Sequence, residues 1–120
     1  MAIKIPSPTV IEAAGNKPKL IEEYVGKVNT KEDRLSIAKM TSPQGWVEPG
    51  QKPEFDEYTV VLKGTLKVKT QTDEFELREK EAILVKGGEW IQYSTPYEGG
   101  AEYIAVCLPA FSPDTVHRDK

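Results

Sequence analysis

The sequence predicts an all-β fold, a single antiparallel β-barrel or jelly roll with little helix. Nine glycines and nine prolines divide the 120 residues into short segments. Within these segments apolar and polar residues alternate with the period of a half-buried strand more often than with the helical period. A chain of this length can bury a core without disulfides or metals, so we expect residues 1–120 to form a single domain.

Eight candidate strands follow one another between turn signals. The turns contain Pro-Gly, Gln-Thr-Asp, Gly-Gly and Glu-Gly-Gly sequences, which favour tight reversals of the chain. Eight short strands with such turns are typical of a small antiparallel barrel or jelly roll. The predicted strands are Leu20–Val28, Leu35–Met40, Glu57–Leu62, Thr65–Lys69, Phe75–Arg78, Ala82–Val85, Trp90–Ser94 and Tyr103–Leu108.

The third and fourth of these strands form a hairpin that pivots on Gly64. A tight turn at this point needs a positive φ, which glycine adopts without steric cost. Helix is predicted at two places only. Thr9–Ala14 can form one turn, and Ser112–His117 begins with a serine N-cap followed by proline at the first helical position.

Charge and cysteine content exclude several classes of function. The formal net charge is −3, from 16 basic and 19 acidic residues that are mixed along the chain. Because such a chain has no long-range field, we expect neither nucleic acid nor a membrane as a partner. The single cysteine, Cys107, excludes an intrachain disulfide framework and suits a reducing compartment. With no apolar signal region visible either, we expect a cytoplasmic protein.

Two segments of the chain resemble the signature motifs of the cupin family. The first is Glu57-Tyr-Thr-Val-Val-Leu-Lys-Gly64 and the second is Lys86-Gly-Gly-Glu-Trp-Ile91. The resemblance extends over about residues 46–108 and implies a small single-domain cupin barrel. It leaves the activity open, because cupins include isomerases, dioxygenases, decarboxylases, lyases, sugar binders and storage proteins.

The metal-binding histidines of the cupin family have no counterpart in this chain. By the resemblance their positions are taken by Gln51, Pro53 and Ile91, whereas Glu57 stands at the position of the family's glutamate ligand. His117 is the one histidine of the sequence. The usual cupin metal site therefore cannot form within one subunit, and we expect no cofactor.

Glu57 and Tyr93 are the candidate catalytic residues. If Glu57 points into the barrel, as the resemblance implies, the strand period also turns Tyr93 inward from the strand of Ile91. Apolar walls disfavour the charged form of a carboxyl group and raise its pKa toward values useful for acid or base catalysis. We expect a metal-independent isomerase, epimerase or lyase acting next to a carbonyl of a small organic ligand. Alternatively, Glu57 lies at the barrel mouth and Tyr93 is a core aromatic.

The predicted ligand-binding residues would complete a mostly apolar pocket with a few polar groups. Some of them share the inner face of Glu57 or of Ile91 by the strand period. A bulge at Pro49-Gly50 or Pro53 would instead turn Glu54 and Asp56 inward. The predicted ligand-binding set is Gln51, Glu54, Thr59, Glu89, Ile91 and Trp46.

Two other functions stay open. The loss of all three histidine positions is compatible with a non-catalytic module that binds a ligand or has a structural role. The second alternative is a metal-dependent enzyme with a carboxylate-rich site, since oxygen ligands suit Mg²⁺, Ca²⁺ or Mn²⁺. The residues that could supply these oxygens are Gln51, Glu54, Asp56, Glu57 and Glu89.

The remaining candidates concern the thiol and the outer surface. Cys107 lies in an apolar strand and is expected to be a small buried hydrophobe. A nucleophilic role would need a base such as His117, which the tail would have to bring back over the barrel mouth. Trp90 points outward by strand parity and indicates a subunit interface, and the resemblance also implies a homodimer.

Overall fold

The structure, a computed structural model, describes all 120 residues, and its strands form two antiparallel sheets. The predicted all-β fold is confirmed. The chain forms no helix that could cross a membrane. The strands are β1 (Thr9–Ile11), β2 (Leu20–Val25), β3 (Ser36–Ser42), β4 (Trp46–Val47), β5 (Asp56–Gly64), β6 (Leu66–Thr70), β7 (Glu74–Leu77), β8 (Ala82–Val85), β9 (Ile91–Thr95) and β10 (Ala101–Leu108).

The two sheets close on each other as a jelly roll. The six-stranded sheet has the order β1-β2-β3-β10-β5-β8, and the four-stranded sheet has the order β4-β9-β6-β7. Along β10 every second residue from Ala101 to Cys107 is buried, and β5 alternates in the same way. Apolar side chains of both sheets thus meet in one core. Its fully enclosed members include Trp46, Val61, Leu66, Val68 and Ile91.

The eight predicted strands are present, Ala82–Val85 with the predicted bounds and the other seven with shifted bounds, and two short strands were not predicted. The segment Thr9–Ala14, expected as a helical turn, contains strand β1 instead, in which Val10 pairs with Glu22 of β2. Its run Thr-Val-Ile is β-branched, and such side chains favour a strand over a helix. β4 is only two residues long, too short to show a period in the sequence.

The predicted helix at Ser112–His117 is also wrong. The segment forms a turn in which the Thr115 amide donates to the Ser112 carbonyl, 3.1 Å away. From Thr115 onward the backbone pairs with residues 52–54, which precede β5. The Glu54 amide donates to the Thr115 carbonyl at 2.9 Å, and the Lys52 amide donates to the His117 carbonyl at 3.0 Å. A backbone engaged in this pairing cannot also form helical hydrogen bonds.

Gly64 has the conformation that the sequence predicts. Its φ is +79°, in the left-handed region that favours glycine. A Cβ atom at this position would also overlap the backbone carbonyl oxygen of Gly100. The glycine therefore serves the turn after β5 and its close approach to the start of β10.

Candidate functional site

A cavity of about 70 Å³ lies inside the barrel, against the inner face of the six-stranded sheet. On this scale one water molecule needs roughly 10–15 Å³, so the cavity has room for a few waters or a small organic molecule. Its walls include Ala38 and Met40 of β3, Thr59 of β5 and Ala105 of β10. The lining is therefore apolar for the most part and interrupted by polar groups, as in a ligand pocket.

Glu57 and Tyr93 meet inside this cavity. The Tyr93 hydroxyl donates a hydrogen bond of 2.7 Å to Glu57 Oε1, which links the two sheets. Burial raises the pKa of the Glu57 carboxyl, and the hydrogen bond from Tyr93 and the charge of Lys19 oppose that shift. Burial and the neighbouring Glu57 hold the pKa of the Tyr93 hydroxyl well above its ordinary value. Both side chains point inward, as the strand period predicts, and Tyr93 acts as a hydrogen-bond donor.

Glu48 is a second carboxyl group in the cavity, and sequence reasoning missed it. Its Oε2 atom is shielded from solvent and has no hydrogen-bond partner. Burial, with a smaller contribution from Glu57, raises the pKa of Glu48 to about 8, against the opposing charges of Lys19 and Arg118. Its backbone amide donates to the Tyr93 carbonyl at 3.2 Å, which fixes the segment beside the catalytic candidates. The spacing of two from the buried Trp46 could have indicated this inward position.

Two cationic side chains also line the cavity. Lys19 Nζ lies 4.0 Å from the centroid of the Trp46 ring and 5.2 Å from that of Tyr103. Arg118 belongs to the C-terminal tail and pairs with Gln51 in an isolated β-bridge. No strand pattern in the sequence covers either residue, so their place in the site becomes visible only in the folded chain.

Of the predicted ligand-binding residues, Gln51 and Thr59 line the cavity. Gln51 is 5% exposed and Thr59 is 1% exposed. The bulge that would have turned Glu54 and Asp56 inward is absent, since Gln51, Pro53, Phe55, Glu57 and Thr59 are all buried. The regular alternation from Gln51 to Thr59 therefore gives these two residues the positions that the sequence predicted.

The other four predicted ligand-binding residues lie away from the cavity. Glu54 is exposed and contacts His117 on the surface. Glu89 is exposed in the turn before β9, where its amide donates to the Lys86 carbonyl at 3.3 Å, so the inward alternation begins only at Ile91. Ile91 and Trp46 are fully buried in the apolar core. We therefore leave Glu54, Glu89, Ile91 and Trp46 out of the candidate site.

The C-terminal tail folds back over the barrel, but it does not form a catalytic pair with the thiol. His117 contacts Glu54, whereas Cys107 Sγ lies inside the barrel, 3.7 Å from Glu57 Oε2. Burial, and to a smaller extent the charge of Glu57, raises the pKa of the Cys107 thiol far above its ordinary value. A thiol whose pKa is raised this far holds almost no thiolate and is a poor nucleophile, so Cys107 belongs to the wall of the cavity.

The residues of the cavity do not fit the metal that the cupin resemblance implies. Pro53 has no side-chain donor and Ile91 is apolar, so the family's four positions supply only Gln51 and Glu57. The carboxylates of the oxygen-rich alternative do not converge either. Asp56 contacts the Gly87 amide at the surface, and no group of three or more His, Cys, Asp or Glu side chains is arranged to hold an ion. We derive no step through a metal.

Comparison with known sequences gives one match and no family model. No model of a protein family matches the chain. The chain is 40% identical, over 101 residues or 84% of its length, to the endoribonuclease YbeY of Myxococcus xanthus. It covers 34% of that protein, so it spans about a third of the length of the curated relative it matches.

Comparison with solved structures identifies the fold. The EutQ protein of Clostridium difficile has a TM-score of 0.63 at 23% identity, over 79% of this chain and 66% of that chain. A predicted oxalate decarboxylase of Thermotoga maritima has a TM-score of 0.73 at 16% identity, over 91% of this chain and 99% of that chain. The polyketide cyclase RemF of Streptomyces resistomycificus has a TM-score of 0.73 at 19% identity, over 98% of this chain and 84% of that chain. These are cupin-fold proteins, and this chain has the cupin fold.

Proposed function

We propose that the protein binds a small organic molecule in the barrel cavity and moves a proton on it, with Glu57 and Glu48 as the acting carboxyl groups. The observation that carries this proposal is the Oε2 atom of Glu48, which is shielded from solvent and has no hydrogen-bond partner. An unmade hydrogen bond of a buried polar group costs about 1–3 kcal/mol. A ligand oxygen in the cavity would supply the missing partner.

The two carboxyl groups differ in their surroundings, and this difference assigns their roles. Glu48, with a pKa raised to about 8 by burial, is protonated at neutral pH and can donate a hydrogen bond or a proton. The ionised form of Glu57 is supported by the hydrogen bond from Tyr93 and by the charge of Lys19. Burial raises the pKa of both carboxyl groups, and the hydrogen bond that Glu57 accepts from Tyr93 favours Glu57 as the base and Glu48 as the acid.

In the proposed reaction Glu57 accepts a proton from a carbon next to a carbonyl, while Glu48 donates its proton to the carbonyl oxygen. Glu57 then returns the proton to a carbon of the enol, and Glu48 recovers its own proton from the enol hydroxyl. Return of the proton to a different carbon gives an isomer, and return to the other face after the enol turns over gives an epimer. In an elimination the group beside the enol departs with its bonding electron pair and the proton held by Glu57, while Glu48 recovers its proton from the enol hydroxyl. Tyr93 acts as a positioning residue, because its hydroxyl holds Glu57 Oε1 at 2.7 Å.

The fold neighbours support a reaction on a small molecule. Their names include a polyketide cyclase and a predicted oxalate decarboxylase, and both names describe chemistry on small organic molecules. The endoribonuclease name of the Myxococcus relative does not enter the proposal, since this chain spans only 34% of that protein. A net charge of −3 also offers no basic surface for RNA, so we propose no nucleic-acid partner.

Hydrogen–deuterium exchange tests the proposal whatever the product of the reaction is. The protein is incubated in deuterated buffer with small ketones, aldehydes, 2-oxo acids and their amides, and proton NMR follows the signal beside the carbonyl. We expect the wild type to exchange at least one compound about 100-fold faster than Glu57→Gln does. Glu54→Gln is the matched control, because Glu54 is an exposed carboxylate outside the cavity.

The same experiment separates the proposal from the alternative of a non-catalytic module. A compound that stabilises the protein against heat but exchanges no faster than in buffer would support the module. Exchange at the wild-type rate in Glu57→Gln would remove Glu57 from the mechanism.

A further inference from the structure

Lys19 is a cation of the cavity wall without an anionic partner. Its ammonium group lies over the faces of Trp46 and Tyr103, and it forms no ion pair with Asp or Glu. The residue is half-buried, so part of its hydration is lost. The Tyr103 hydroxyl is a hydrogen-bond partner of this ammonium group. An ammonium group has three donors, so the aromatic faces and one hydroxyl leave room for an anionic acceptor.

Arg118 is a second unpaired cation at the same cavity. Its guanidinium lies 5.9 Å from the ring centroid of Phe111 and makes no ion pair with Asp or Glu. Backbone hydrogen bonds fix the tail on both sides of it, from the Lys52 amide to the His117 carbonyl at 3.0 Å and from the Asp119 amide to the Gly50 carbonyl at 2.7 Å. The backbone that carries this cation to the cavity wall is therefore anchored.

Four carboxyl groups, those of Glu12, Glu23, Glu48 and Glu57, also line the cavity, and none of them forms an ion pair with Lys19 or Arg118. Glu48 is protonated at neutral pH, since its pKa is raised to about 8 by burial. Glu23, which also lines the cavity, already accepts the amides of Val28 and Asn29 at 3.0 and 2.8 Å. Glu57 is the base of the proposed proton transfer. The cavity thus holds two cations without an ion pair, the exposed carboxyl group of Glu12, the occupied carboxylate of Glu23, one base, and one neutral acid with a free oxygen.

We propose that the ligand is a small carboxylic acid in its ionised form, with its carboxylate bound by Lys19 and Arg118 and a neighbouring carbonyl or hydroxyl oxygen bound by Glu48. This inference rests on the proposed function, because it assigns a substrate class to the same cavity. The planar guanidinium of an arginine matches a carboxylate with two parallel hydrogen bonds. A cavity of about 70 Å³ limits the acid to a few carbon atoms.

Binding of matched pairs of acids and amides tests the substrate class. Pyruvate with pyruvamide and lactate with lactamide have nearly the same shape and differ in charge. Isothermal titration at pH 7 should give each acid an affinity at least about tenfold higher than that of its amide. Lys19→Met and Arg118→Gln should each lower the affinity for the acid about tenfold and leave the affinity for the amide unchanged. Lys63→Met, which removes an exposed lysine of β5, is the control for net charge and should change neither affinity.

Four outcomes separate the inference from the proposed function. Equal binding of acids and amides, or retention of the preference in both cavity variants, overturns the inference. Absence of binding by both acids at about 10 mM overturns it too, since millimolar affinities would be detected. Proton exchange on amides or neutral ketones with no preference for acids leaves the proposed function standing alone. Preferential binding of acids without proton exchange supports the inference and contradicts the proposed function.

Thermal unfolding shows whether each variant is folded before it is titrated. Should Lys19→Met unfold, Lys19→Arg keeps the test available because it retains the charge and should retain the preference for the acid. Inorganic phosphate serves as a competitor in the same titration. Displacement of pyruvate by phosphate at equal concentration would contradict a site built for a carboxylate.

Discussion

The inside of the barrel has two regions of opposite character that are built from the same strands. On β5 the side chain of Val61 belongs to the packed apolar core, whereas Thr59 and Glu57 on the same face line the cavity. On β10 Ala101 lies in the core and Cys107 lies at the cavity. The backbone alternation is the same in both regions. The side chains alone make one region a packed core and the other the candidate functional site.

Side chains of the core raise the free energy of unfolding, whereas unpaired polar groups of the cavity lower it. In the core aliphatic side chains such as Val61, Leu66 and Val68 are fully enclosed, and burial of each stabilises the fold by roughly 1.5–3 kcal/mol. In the cavity a carboxyl oxygen of Glu48 lacks a partner and the half-buried Lys19 lacks an anion, whereas Arg118 is exposed to solvent. Functional sites of other proteins trade stability for activity in the same way. Substitutions in the two regions should therefore differ in the sign and size of their effects.

The largest effect is expected from truncation of the core. Leu66→Ala removes a side chain that is fully enclosed, and such changes lower the free energy of unfolding by about 2–5 kcal/mol. Urea denaturation followed by circular dichroism measures this loss. Proton exchange per folded molecule should stay at the wild-type rate, because Leu66 does not line the cavity. A loss below about 1 kcal/mol would mean that the core relaxes around the change and is less well packed than its enclosure implies.

A smaller effect on stability, of opposite sign, is expected from Glu48→Gln. The folded pKa of Glu48, about 8, lies above its ordinary value of 4.5, so the folded state binds the proton more tightly. The wild type therefore has the full stabilising contribution of protonated Glu48 below pH 4.5. It loses this contribution as the pH rises from 4.5 through 8. Glutamine does not ionise, so the variant should be more stable than the wild type by roughly 1–3 kcal/mol at pH 9 and equal to it at pH 4.

Urea denaturation at several pH values measures this difference, and Glu79→Gln, at an exposed carboxylate, is the matched control. A constant difference across the whole pH range would show that the Glu48 carboxyl is ionised and solvated in the folded protein.

Tyr93→Phe should affect the pH profile of the reaction more than its stability. The change removes the donor that holds Glu57 Oε1 and supports its ionised form, so the pKa of Glu57 should rise. Proton exchange that needs ionised Glu57 should then fall about tenfold on the acidic side, and its midpoint should move to higher pH. The measurement is the pH dependence of exchange. An unshifted midpoint would show that the hydrogen bond does not control Glu57.

The smallest effect on the fold is expected at the outer surface. The homodimer predicted from the sequence, with Trp90 at its surface, stays a prediction, and Trp90 Nε1 donates to Asp119 of the same chain at 2.9 Å. The outer face of β5 and β8 also exposes apolar side chains, those of Val60, Leu62 and Leu84. If two copies meet there, Val60→Lys should shift sedimentation from dimer to monomer and leave the cavity unchanged. A wild type that sediments as a monomer at all concentrations would contradict the dimer.

The fold was predictable from the sequence to a large extent, and the candidate site to a smaller one. Alternation in the regular strands placed Glu57, Thr59 and Tyr93 inside, and turn chemistry explained Gly64. The errors lie where the chain leaves a regular strand. Glu89 was assigned to the inner wall by extending the period of β9 into a turn, and the β-branched run at Thr9 was taken for helix.

The sequence by itself determined the class of fold, the inward face of each regular strand and the absence of the family's histidines. These properties are local, because a strand repeats every two residues and a side-chain type is either present or absent. Only the tertiary structure decided that Lys19, Glu48 and Arg118 come together at one cavity. Lys19 and Arg118 lie outside the strands, and Glu48 directly follows β4 at a distant place in the chain. A strand period can indicate the direction of one side chain, but packing of the two sheets and the tail determines which groups meet.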